Sequence, residues 1–181
     1  VDLIQRLDAA LAAEDEDALS EVLPPAWAAI RAARLELPFA RLWGGRLARL
    51  DLDTRAARAA FEMALLSPEY ETLARGLTAT TPRETFLLGL AAGAPADPPD
   101  ARASAIAQGF APDADVPGTL RLNLRQKQLG EAVLAAMELF LSGAGGETKD
   151  IAPALTTLRA VGLEDLARRA ALQLMILERR I

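Results

Sequence analysis

Between Arg159 and Met175 two stretches of helix-forming residues are separated by only Gly162 and Leu163. A connection that short sets two helices side by side as a hairpin. Gly162 stands where a helix ends on a left-handed residue, and Glu164 and Asp165 open the next helix, whose positive end favours carboxylates. A two-helix unit cannot bury its apolar face alone, so hairpins of this kind must stack on further helices. The composition of the apolar set says what those neighbours are: Ala and Leu dominate, Val and Ile together number eleven, and aromatic residues make up 4%. Strong helix formers are abundant, and the β-branched and aromatic residues that suit a pleated surface are scarce. The predicted fold class is therefore all-α, built of stacked antiparallel helical hairpins as an α-solenoid or an irregular helical bundle.

The punctuation along the chain supports this. Leu3, Ile4, Leu7 and Leu11 share one helical face. The acidic run Glu14 to Asp17 opens a short second helix that Pro24 and Pro25 are expected to end, with a new helix starting near Pro25. A helix is expected from Pro38 to Leu50, and Asp53 is placed as N-cap of another from Thr54 to Leu66. Ser67-Pro68 and Thr81-Pro82 both read as a capping hydroxyl before a first-turn proline, and Glu84 completes a capping box with Thr81. Pro95, Pro98, Pro99, Pro112 and Pro117 then gather in one stretch. The chain is accordingly divided into a helical-hairpin lobe, 1–93, a Pro-rich connection, 94–118, mostly loop with a short helix around Ala101 to Gln108, and a second helical lobe packed on the first, 119–181. Within the second lobe, Thr119 to Gln126 is read as helix or an extended lead-in, running unbroken into a long helix that ends near Leu141. Along the last helix, taken as Leu163–Ile181, Leu166, Ala170, Leu174 and Leu177 form a face that Leu172, Met175 and Ile176 widen. That width calls for burial between two layers or for a partner copy of the chain.

Two absences remove whole classes of chemistry. Without cysteine there is no disulfide, thiolate nucleophile or Cys-bound zinc. Without histidine the commonest general base, transition-metal ligand and pH sensor are gone together. A net charge of −5 points away from nucleic acid as a partner. No apolar run is long enough to span a bilayer. Of the 20 basic residues only Lys127 and Lys149 are lysines, a bias that, with the alanine content, suggests a GC-rich bacterial genome. The start at Val1, without an initiator Met, suggests a piece of a larger bacterial protein. Compartment stays open, with the periplasm slightly ahead of the cytoplasm.

Gly45, Ala57, Phe61, Ala64 and Pro68 follow one another at spacings of twelve, four, three and four. In their small and aromatic positions they resemble one tetratricopeptide repeat, over about thirty residues. The step to Pro68 is one residue short of that pattern, and Arg41, Gly44 and Ala48 stand where it has Trp, Leu and Tyr. The resemblance implies helix pairs stacked into a superhelix whose concave face binds peptides or partner proteins.

Candidates for chemistry are few. Asp51/Asp53, Asp97/Asp100 and Asp113/Asp115 lack the ligand series of an EF-hand and read as turn residues or caps. Gly44-Gly45 fits a kink or a close helix crossing. The serines have no histidine to activate them, and Glu62, Glu69 and Glu71 are the acids open to a glycosidase-like pair. Trp27, Trp43 and Tyr70 are core residues or partner anchors. The leading expectation is a non-catalytic protein-interaction or scaffold module that needs no cofactor and no metal, binding a protein partner through a helical groove of arginines and aromatics, with Arg41, Trp43, Trp27 and Tyr70 as its contact residues. The alternatives are a carboxylate-dependent enzyme, or the helical part of one such as a glycan-cleaving envelope protein, and a structural domain that self-associates through its last helix.

Overall fold

A computed structural model describes residues 2–177. Among the described residues the chain is all-α, with eleven α-helices, one 3-10 turn and no strand. It forms two compact units that divide between Leu77 and Thr78. The connection expected at 94–118 is not where they part. That stretch contains a helix whose Ala103, Ala105, Ile106, Gly109 and Phe110 are buried, so its prolines punctuate the interior of a unit.

The first unit holds α1 (Asp2–Ala13), α2 (Glu16–Ala32), α3 (Glu36–Leu47), α4 (Thr54–Leu66) and the short α5 (Tyr70–Ala74). Helix α4 is its centre, packed against α2, α3 and α5, while α1 lies on α2. Leu7, Leu11, Leu19, Leu23, Leu47, Met63 and Leu65 are fully buried. The expectation that Pro24 and Pro25 end a helix is corrected: α2 runs through both. An interior proline costs about 3 kcal/mol relative to alanine, but Leu19, Val22, Leu23, Ala26, Trp27 and Ile30 are all buried along α2. At roughly 1.5–3 kcal/mol for each large apolar side chain removed from water, that face outweighs both prolines.

Capping follows the sequence closely. Asp53 accepts from Arg55 N at 3.0 Å and Ala56 N at 2.9 Å, and Thr81 and Glu84 form the reciprocal capping box. Ser67 is a correction. It ends α4, with its Oγ donating to the Ala64 carbonyl at 2.8 Å, and it does not start the next helix. The crossing of α3 on α4 depends on Gly44, where a Cβ would stand 2.7 Å from the Met63 carbonyl oxygen. Gly45, the glycine of the tetratricopeptide-like spacing, is half-exposed, and Ala57 is exposed.

The second unit comprises α6 (Pro82–Ala91), α7 (Ala101–Phe110), α8 (Gly118–Arg125), α9 (Leu129–Ala144), a 3-10 turn (Thr148–Asp150), α10 (Ile151–Ala160) and α11 (Glu164–Ile176). Thr119 to Gln126 does not run on into α9. Lys127 adopts φ +60°, and Gln128 N reaches back to the Asn123 carbonyl at 2.9 Å, which closes α8. The α10–α11 hairpin ends α10 with Gly162 at φ +84° and a bond from Leu163 N to the Leu158 carbonyl at 2.9 Å, the Schellman arrangement that the glycine allows. Helix α10 packs on α7, α9 and α11, and α11 returns to α6, the first helix of the unit. A chain end that closes on the start of its unit makes an irregular bundle; an open solenoid touches only nearest neighbours. The side of α11 that this closure buries is Ala167, Ala171, Leu172, Met175 and Ile176; of the face expected from the sequence, Ala170, Leu174 and Leu177 are half-exposed and Leu166 is exposed. The remainder of the expected last helix, 178–181, lies outside the described residues.

Candidate functional site

In α2, spacings of three and four place Pro24, Trp27 and Arg31 along one strip; in α4, Arg55, Arg58, Ala59 and Glu62 do the same. Because α2 packs on α4, the strips face each other across a surface groove of about 280 Å³ lined by these seven residues. Its floor is fixed by one carboxylate oxygen. Glu62 Oε2 accepts from the Trp27 indole Nε1–H and from Arg31 Nη1, each at 2.8 Å. Hydrogen bonds to a charged acceptor contribute about 1.5–3 kcal/mol, so this pair holds the indole edge and the first guanidinium in place. The Arg55 and Arg58 side chains stand exposed on the rim, with no ion-pair partner among the described residues. Three guanidiniums against one carboxylate give the groove a positive balance in a chain whose net charge is −5. Its volume lies just under the 300–1,000 Å³ usual for small-molecule sites, which suits one or two acidic side chains better than a cofactor.

The residues expected to bind a partner do not converge. Trp27 is 5% exposed and lines the groove from beneath. Tyr70 is buried at the start of α5 and belongs to the core. Trp43 is half-exposed on α3, its ring tilted at 58° to Phe39 with centroids 4.7 Å apart. Arg41 is exposed on the same helix, two residues before Trp43, so the two side chains point to different sides. Neither lines the groove. The residues that complete it, Arg31, Arg55 and Arg58, were missed by sequence reasoning, although each sits at helical spacing from a named neighbour, Trp27 or Glu62. What places those two strips opposite each other is the tertiary packing of α2 on α4.

Several of the carboxylates considered for chemistry have structural partners. Asp100 caps α7 through Ala103 N at 2.8 Å, Asp115 is paired with Arg121, and Glu71 with Arg75. Among the described residues no group of three acidic side chains is placed to hold a metal ion. Glu84 and Glu164 have displaced pKa values, both downward. Burial alone raises Glu84, but bonds from the Thr80 and Thr81 hydroxyls and backbone N–H groups outweigh it. Burial likewise raises Glu164, and the Arg159 and Arg168 guanidiniums, at 2.8 and 3.1 Å, reverse the effect. Both are thus held as anions, the opposite of the raised acid that protonates a leaving group.

The fold and this groove define an all-α protein with a basic, aromatic-floored cleft. No family model, no curated protein and no solved structure matches the chain.

Proposed function

We propose that the protein is a non-catalytic interaction module whose α2/α4 groove receives an acidic segment of a partner protein. The observation that carries this reading is the placing of Arg55 and Arg58, which have no ion-pair partner among the described residues, beside a locked Trp27–Arg31–Glu62 floor. Guanidiniums present planar forks that match carboxylates, and an indole edge gives apolar contact to the methylenes of a Glu side chain. The bonds from Trp27 and Arg31 occupy Glu62 Oε2, so the groove's own carboxylate is satisfied and does not repel an incoming acid with its full charge. Exposed ion pairs contribute only about 0.2–1 kcal/mol each. A segment with several acidic residues is therefore required, and its binding will be reversible and sensitive to salt.

The test is fluorescence anisotropy with a labelled Glu-rich peptide and a Lys-rich peptide of equal length. The Glu-rich peptide is expected to bind and the Lys-rich one not. Reversing both rim charges, Arg55→Glu with Arg58→Glu, is expected to weaken binding about tenfold or more, the equivalent of about 1.4 kcal/mol. Equal affinity of wild type and the double variant would remove the groove as the binding surface.

A further inference from the structure

We infer that the chain carries two complementary apolar faces, on α3 and α9, through which one copy docks head-to-tail on a second. On α9, Leu134, Met137 and Leu141 lie at spacings of three and four and are 58%, 49% and 69% exposed, a continuous stripe on the outer side of the helix. On α3 and its first turn, Leu35 and Leu42 are 43% and 66% exposed, and the half-exposed Phe39 and Trp43 lie on the same side.

The charges beside the two stripes have opposite signs. Within α9 the charged residues are Glu131 and Glu138, three before and four after Leu134, and neither has an ion-pair partner among the described residues. The charge on the α3 stripe is Arg46, four residues beyond Leu42, exposed and tied to the Leu11 carbonyl at 2.7 Å. Placing α9 antiparallel on its own copy would bring Glu138, beside the middle of the stripe, towards Glu138, a repulsive juxtaposition. A pairing of α3 with α9 matches apolar stripe to apolar stripe and Arg46 to the two glutamates. The acidic border also disfavours an anionic lipid surface as the occupant of α9. Each stripe presents only three or four large apolar side chains, where a stable complex uses roughly 20–30 residues a side, so the association is reversible. Because the contact joins two different surfaces, it either closes reciprocally within a dimer or leaves one of each free for further copies.

Sedimentation velocity on the full chain tests this, with circular dichroism to confirm folding of the variants, whose changed side chains are exposed. The wild-type average mass is expected to rise with concentration to that of a dimer or beyond. Leu42→Glu and Leu141→Glu are each expected to be monomeric alone, while their equimolar mixture forms a one-to-one dimer and nothing larger, because each retains the face the other lacks. Glu138→Arg is expected to weaken the wild-type association at least fivefold. A wild-type chain that is monomeric at every concentration overturns the inference. So does self-association of Leu42→Glu equal to wild type, which would mean α9 pairs with itself, or a mixture that stays monomeric.

Discussion

Adjacent glycines in α3 have opposite roles. At Gly44 a methyl group would press on the Met63 backbone, with no flexible side chain to yield, whereas at Gly45 the nearest atom is Glu69 Oε2 at an ordinary 3.6 Å. Gly44→Ala is therefore expected to destabilise the protein by about 1–3 kcal/mol, the range for overpacking. Gly45→Ala is expected to be neutral or to stabilise by up to about 1 kcal/mol through helix propensity. Urea denaturation of the two variants checks both, and equal midpoints would contradict the crossing geometry. Two glutamates contribute to the acid limb of stability. The folded-state pKa values of Glu84 and Glu164 lie below the ordinary 4.5. Each contribution is thus complete above that value and is lost as pH falls through the folded value. Glu164→Gln is expected to flatten the decline of the urea midpoint below about pH 4.5; a decline as steep as in wild type would assign it elsewhere.

Among elements, α2 departs most clearly from local rules. Its exposed Pro25 lacks an N–H and crowds the Glu21 carbonyl, yet the helix holds because its buried face anchors it. Pro25→Ala is expected to stabilise the protein by about 2 kcal/mol, taking about 3 for helix propensity less the unfolded-state entropy that proline removes. Thermal unfolding checks the sign, and a loss of stability would show that Pro25 supports the packing of α2. The sequence made most helices legible because caps and turns are local: Asp53, the Thr81–Glu84 box and Gly162 each act within a few residues of themselves. The misreadings at Pro24-Pro25 and at Lys127 are of another kind. In the first, burial contributed by distant helices outweighed a local penalty; in the second, a lysine took the left-handed position for which glycine is the usual marker.

For the whole molecule, absences in composition become expectations of behaviour. With no histidine and no cysteine, no side chain of ordinary pKa titrates between about pH 5 and 8 and no thiol responds to redox potential. The urea midpoint is expected to stay constant from about pH 6 to about pH 8 and to ignore added reductant; a midpoint that moved would require a strongly perturbed acid. The all-α class was legible because Ala and Leu crowd out strand formers. The groove was half legible: Trp27 and Glu62 drew attention by type, while Arg31, Arg55 and Arg58 are ordinary helix-surface arginines until α2 is laid on α4. The most direct measurement of the recognition reading uses the fact that Trp27 and Trp43 are the only tryptophans. Their indole N–H resonances would be followed by two-dimensional ¹H–¹⁵N spectra as the Glu-rich peptide is added. Binding in the groove shifts the Trp27 signal and leaves Trp43 in place, whereas an unmoved Trp27, or a shift confined to Trp43, would contradict it.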